Sequence, residues 1–202
     1  MNETTKRYHH GDLRRALLEA AMEMLGEDNG WRFNLRELAR RAGVSHAASY
    51  KHFPDKAALL AELALLGFEQ LRAALLAARP SPPATLRDEF LEMSRAYLRF
   101  GASHPNLYQL MFSADARASM NTRLKDRAAA ALDVLIELFA RGQREGWLRD
   151  REVREQAGAG WAQLHGLVLL TIDGLLGADT VGPNSSEASL EVLLEGLEAG
   201  LR

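Results

Sequence analysis

The stretch that most limits what this chain can fold into is LRELARRAGVSHAASYKHFPDK, residues 35–56. Leu35, Leu38, Ala39 and Ala42 recur at helical spacing. Asn34 before them and Glu37 three residues on have the spacing of a capping box, with Asn in the Ser/Thr place. Gly43 suits the left-handed residue just past a helix end, and Ser45 suits the cap of the next helix. That next helix is short. Pro54 disfavours helical geometry at Phe53, so only His46 to about His52 is available. Two turns of helix are not stable alone in water and must be held by packing, for which Val44, Tyr50 and Phe53 are the candidates. Asp55 then caps a longer helix beginning at Lys56.

The rest of the chain reads as helix too. There are 35 Leu against 6 Val and 2 Ile, too few β-branched residues for a sheet protein of 202 residues. No alternating run is bounded by hairpin turns. Asp12 is placed to cap a first helix running to about Glu27, with Leu13, Leu17, Ala20, Ala21, Met24 and Leu25 on one face. A fourth helix runs from Lys56 to about Ala78. ARPSPPAT, residues 78–85, is the clearest break. Beyond it come a helix carrying Leu86, Phe90, Met93, Tyr97 and Phe100, a short one in HPNLYQLMF at 104–112, and a long one from about Thr122 to Glu145. Another spans about Arg151 to Leu176, and a last one is capped by Ser186 and carries Leu190, Leu193, Leu194, Leu197 and Leu201. The expectation is an all-α protein of about nine helices. Residues 1–56, with an arm over 1–11, form a small N-terminal three-helix domain. Residues 57–202 form a larger helical domain, joined to it through the helix over 57–78.

Several classes are disfavoured. With no cysteine there is no disulfide or thiolate metal site, and a reducing compartment fits. The opening MNETTKRYHHGDLRR has no apolar core of the secretory type. The longest apolar run, near Leu164 to Ile172, is too short to span a bilayer, so no membrane partner and a cytoplasmic location are expected. G-x-S-x-G, H-E-x-x-H, Walker A and dinucleotide glycine loops are all missing. No enzymatic activity, metal or cofactor is expected.

Net charge is only −2, but it is unevenly spread. Arg32 to Lys56 holds six cations and two anions, hence +4; Ala57 to the end holds fifteen cations and nineteen anions, hence −4. A helix, a three-residue turn with glycine and a second short helix make the helix-turn-helix arrangement, whose second helix lies in the DNA major groove. Lys56 falls in the first turn of its helix, where the dipole disfavours a cation. Either a phosphate sits at that helix end or the ammonium points to water.

On LRELARRAGVSHAASYKHFPDKAALL, residues 35–60, the chain resembles the DNA-binding domain of the tetracycline-repressor (TetR) family of transcriptional regulators. The YHHGDLR opening, HPNLYQLMF and Trp161-x-x-x-His165-Gly166 resemble the branch with a WHG-type C-terminal domain. The resemblance implies a homodimer that binds a palindromic double-stranded DNA operator and is released by a small-molecule effector. It implies base contacts from His46, Ala47 and Ala48, and backbone contacts from Tyr50, His52 and Lys56, with Asn34 and Arg36 on phosphates. Ser45 and Lys51 can also hydrogen-bond a base edge, whereas the alanines can only press on a thymine methyl. Much of the affinity should therefore come from phosphates and DNA shape. Position 34 is commonly threonine in the family and position 47 often glycine; here they are Asn34 and Ala47. Lys6 and Arg7 form either a minor-groove arm or a disordered leader.

For the dimer, Gly158, Ala162, Gly166 and Gly174 form a row of small residues that would let another helix come close. Leu167 and Leu170 beside them, and Leu190, Leu194 and Leu197 of the last helix, complete the expected interface; packing inside one monomer is the alternative. Candidate lining residues for an effector pocket are Phe68, Tyr97, Phe100, Tyr108, Met111, Phe112, Trp147, Trp161 and His165. His165, if buried, bonds either a neighbouring helix or a ligand. The alternative functions are a helical small-molecule-binding or interaction protein without a transcriptional role, or an activator.

Overall fold

The computed structural model describes residues 10–27, 30–80, 85–118 and 122–199. Among them are eleven helical segments and no strand. Nine have seven residues or more: α1 His10–Leu25, α2 Leu35–Arg41, α3 His46–His52, α4 Lys56–Ala77, α5 Leu86–Ser103, α6 Pro105–Met111, α8 Thr122–Arg144, α9 Val153–Ile172 and α11 Ser185–Leu197. Two more are single turns, α7 Ala114–Ala118 and α10 Ala178–Val181.

Helix α4 is the spine. It packs on α1 at its start and on α5, α6, α7 and α8 along its length. Its 22 residues are apolar on most sides, with Leu59, Leu63 and Ala64 fully buried. A helix apolar nearly all round has to be surrounded, and this one is. Each leucine taken out of water contributes about 1.5–3 kcal/mol. Close approach requires missing side chains: a Cβ on Gly101 of α5 would stand 2.2 Å from Val168 Cγ1 of α9. At the far end of α4, Glu89 of α5 is buried between two arginines. Arg79 Nε lies 3.3 Å from its carboxylate, Arg141 of α8 closes the other side, and Arg79 also reaches Glu137 at 3.1 Å. The cluster ties the end of α4 to α5 and α8.

Three boundaries differ from the sequence reading. Helix α1 starts at His10, so Asp12 lies inside it and not at its cap. Helix α11 starts at Ser185 with Asn184 before it, which places Ser186 in the first turn. Helix α9 ends at Ile172, short of Leu176. Gly174 has φ 71°, and the N–H groups of Gly174 and Leu175 return to the carbonyls of Thr171 and Leu170 at 3.1 and 2.8 Å. Gly174 is thus the left-handed stop of the helix. Leu201, Lys6 and Arg7 lie outside the described residues.

Candidate nucleic-acid interface and effector cavity

Helix α2 starts with both halves of a capping box. Asn34 Oδ1 accepts from the N–H groups of Arg36 and Glu37 at 3.0 Å each, and Glu37 Oε2 accepts from Asn34 N–H at 2.9 Å. It ends in the motif that Gly43 makes possible. With φ 68° there, Val44 N–H reaches Ala39 O at 2.9 Å and Gly43 N–H reaches Arg40 O at 3.2 Å. Ser45 Oγ then accepts from Ala48 N–H at 3.2 Å and opens α3. On the inner side of α3, Ser49 is buried and its hydroxyl donates to His46 O at 2.8 Å. Phe53, at the far end, is buried beneath the Arg14 guanidinium, 5.4 Å from its ring centre. Two anchors and a cap therefore hold a helix too short to hold itself.

The opposite face is open. Ser45, His46, Ala47 and Lys51 are exposed, Tyr50 is 47% exposed, and Ala48 is half-buried. His46 stands edge-on to Tyr50 with ring centres 4.9 Å apart. Asn34 and Arg36 are exposed at the start of α2, and His52 is half-buried at the end of α3. Lys56 opens α4 half-buried, its Nζ 5.9 Å from the Phe33 ring centre. Among the described residues Arg36, Arg40 and Lys51 form no ion pair, while Arg41 pairs with Glu27. The surface so formed is a short helix with polar groups turned outward and unneutralised cations on both sides, which suits a polyanion.

The larger half encloses a cavity of about 290 Å³ between α4, α5, α8, α9 and the α6–α7 segment. Phe68, Tyr97, Met111, Phe112 and Trp161 line it. Phe100, Tyr108, Trp147 and His165 do not. Phe100 stacks on His104, and Trp147 packs on Phe90 and donates its indole N–H to Glu198 at 3.2 Å. Tyr108 and His165 sit one layer behind the wall. Trp161 N–H donates to the Tyr97 hydroxyl at 3.1 Å; that hydroxyl meets the Tyr108 hydroxyl at 2.7 Å, which meets His165 Nδ1 at 2.7 Å. Burial pushes the Tyr97 phenol up to about 12 and the Tyr108 phenol higher still, and lowers the His165 imidazole below its ordinary value. Two polar wall residues escaped the sequence reading, as did the aliphatic ones: Ser94, buried on α5, and Arg117, exposed on α7. Ser94 carried a signal, since it is four residues from Phe90 and three from Tyr97 on the buried stripe.

The α6–α7 segment also holds the DNA-binding half. Asn106 Nδ2 donates to Leu25 O at 2.8 Å and Glu27 O at 3.2 Å, satisfying carbonyls at and beyond the end of α1. The Trp31 indole N–H donates to Asp115 at 2.8 Å. A second tie passes through Glu62 of α4, which pairs with Arg14 of α1 at 2.8 Å and Arg123 of α8 at 3.2 Å.

On α9, Ala162 and Leu170 are exposed, and Gly158 and Gly166 are half-buried with no atom within 4 Å of where a Cβ would stand. Four leucines assigned to the interface, Leu167, Leu190, Leu194 and Leu197, are instead buried within the monomer. In α11 the leucines share one face, which packs inward, and Glu187, Ala188, Val192, Glu195 and Gly196 make up the exposed one. Among the described residues no helix is long and apolar enough to cross a membrane, and no three metal-ligating side chains converge.

This fold and this face define a helix-turn-helix DNA-binding regulator with a helical companion domain. Residues 17–63 match the family described as bacterial regulatory proteins, tetR family, and residues 90–197 match the tetracyclin repressor-like C-terminal domain. The chain belongs to the TetR family of DNA-binding transcription regulators. It is 33% identical over 143 residues to the nucleoid occlusion factor SlmA of Vibrio cholerae serotype O1, covering 70% of this chain and 69% of that one. It is 33% identical to a protein of unknown function from Rhodococcus sp. RHA1, with a TM-score of 0.84 over 96% of this chain and all of the other. The TetR family transcriptional regulator PfmR of Thermus thermophilus shares the fold at 23% identity, with a TM-score of 0.65 over 91% of this chain and 99% of that one.

Proposed function

We propose that the protein is a ligand-responsive repressor that binds a palindromic operator as a homodimer and leaves it when a small molecule fills the cavity. The observation that carries the DNA reading is the outward face of α3. His46, Tyr50 and Lys51 stand on a helix fixed from behind, and among the described residues none of their side-chain polar groups is consumed by a hydrogen bond or ion pair. His46 and Lys51, with Ser45, reach base edges; Ala47 and Ala48 press on thymine methyls. Asn34, Arg36, Tyr50, His52 and Lys56 take phosphates on either side, Lys56 together with the N–H groups at the start of α4. Residues 1–56 form the DNA-binding unit and 57–202 the effector and dimer unit, α4 connecting them.

The dimer forms through α9, where Gly158, Ala162 and Gly166 leave room for a second helix and Leu170, 41% exposed, supplies apolar surface. Two recognition helices about 34–36 Å apart then enter successive major grooves. Coupling runs through α6–α7. Met111, Phe112 and Arg117 face the cavity, while Asn106 and Asp115 of the same segment hold α1 and Trp31. A ligand that prefers the arrangement with the DNA-binding units apart lowers DNA affinity by that preference and no more.

Fluorescence anisotropy on duplexes tiling the gene's own promoter region tests the reading. Two protomers per short palindrome and an affinity falling steeply with salt are expected. No binding at low salt across that region contradicts it. The 33% identity to a nucleoid occlusion factor favours a second reading, DNA binding in nucleoid occlusion, which chromosome-wide occupancy distinguishes: dispersed sites instead of a few promoters.

A further inference from the structure

The chemistry of the cavity wall names the class of molecule that fills it; the inference rests on the effector reading above. The space is about 290 Å³, at the small end of ligand sites, and most of its wall is aliphatic or aromatic. Two polar groups in that wall are committed. The Tyr97 hydroxyl takes the Trp161 N–H and shares a bond with Tyr108, so neither ring has its hydrogen-bonding group left over for a first-choice partner. One buried polar group is not committed. Ser94 is 2% exposed, lines the cavity, and its Oγ has no hydrogen-bond partner. A helical serine usually bonds a carbonyl one turn back or points to water. An unpartnered buried hydroxyl is costly and calls for an occupant. Among the described residues no carboxylate lines the wall. The charged residue there is Arg117, which is exposed and donates to Phe112 O at 2.9 Å.

We infer that the cavity takes a compact, mostly apolar molecule that carries no positive charge, whose single hydroxyl or carbonyl group bonds Ser94 Oγ. An ammonium would lose its water opposite no anion, beside a guanidinium. A pure hydrocarbon would leave Ser94 unpaired.

Three probes with one skeleton separate these cases: 3-phenylpropan-1-ol, propylbenzene and 3-phenylpropylammonium. Binding is read from tryptophan fluorescence, since Trp161 is in the wall. The alcohol is expected to bind and the ammonium not to bind measurably. Ser94→Ala should weaken the alcohol about tenfold, the effect of one hydrogen bond, and leave propylbenzene unchanged or tighter. Ser94→Ala should also keep or raise the melting temperature, because it removes an unpartnered hydroxyl. The inference is overturned if none of the probes binds, if the ammonium binds most tightly, if the substitution weakens alcohol and hydrocarbon alike, or if it lowers the melting temperature. The readout involves no DNA. A protein that fails here yet is released from DNA by a molecule of another class keeps the regulatory reading and loses this one.

Discussion

The hydrogen bonds behind the cavity begin at a fixed donor. Trp161 N–H can only donate, so the Tyr97 hydroxyl accepts from it, and the next bond joins the Tyr97 and Tyr108 hydroxyls, either of which can donate. Where the Tyr108 hydroxyl donates onward to His165, Nδ1 is the unprotonated nitrogen. Burial lowers the imidazole's pKa, which favours the same neutral form. The sign follows. Below about pH 6.5 an unfolded chain takes up this proton and the folded chain resists it, so the unfolded state binds more protons and stability rises with pH. The contribution is complete above the unfolded value and is lost as pH falls from there toward the folded one. Melting temperatures measured from pH 8 to 5 should therefore drop less in His165→Gln, whose side-chain oxygen can still accept from Tyr108, than in the wild type. A constant difference between the two across that range contradicts the assignment. The Trp161-x-x-x-His165-Gly166 pattern marked His165 as a polar group in an apolar helix, and burial required a partner. Only the folded chain supplies that partner, because Tyr108 is 57 residues away.

Helix α6 with the turn α7 is where the two halves meet. The segment is short and would not be stable alone; it is held between α4, Asn106's grip on α1 and the Trp31–Asp115 bond. Removing both ties with Asn106→Ala and Asp115→Ala should free the end of α1 without touching α8 or α9. Hydrogen exchange at residues 25–32 should quicken by about tenfold, the effect of roughly one net hydrogen bond, while the amides of α8 and α9 keep their rates. Unchanged exchange at residues 25–32 means that the segment does not hold the DNA-binding half. The elements themselves were legible from local signals: the Asn34–Glu37 box, the Gly43 stop and the Asp55 cap all lie within one turn of the helices they bound. The helix end at Gly174 was missed for a physical reason. A glycine that lets helices approach and one that turns left-handed to end a helix have the same side chain. The inward turn of Leu190, Leu194 and Leu197 was likewise hidden, since a leucine stripe does not say which neighbour covers it.

As a molecule the protein is a spine helix with a small DNA-facing head and a hollow helical body. The hollow's position was foreseeable from the aromatic residues of α4, α5, α6 and α9; its wall was not, because much of it comes from aliphatic residues of α8 that read as ordinary core. The central claim is that α3 exists to enter a groove with phosphate-holding residues beside it. The most direct test compares the affinities of Tyr50→Phe/Lys56→Ala and of His46→Ala with wild type, on an operator duplex and on an unrelated one, over a range of salt. The double variant should lose affinity by a similar factor on both duplexes, with a log–log salt slope about one unit shallower. His46→Ala should cost about 1–3 kcal/mol on the operator and almost nothing on the unrelated duplex. Wild-type affinities for both variants on both duplexes would mean that this face does not touch DNA.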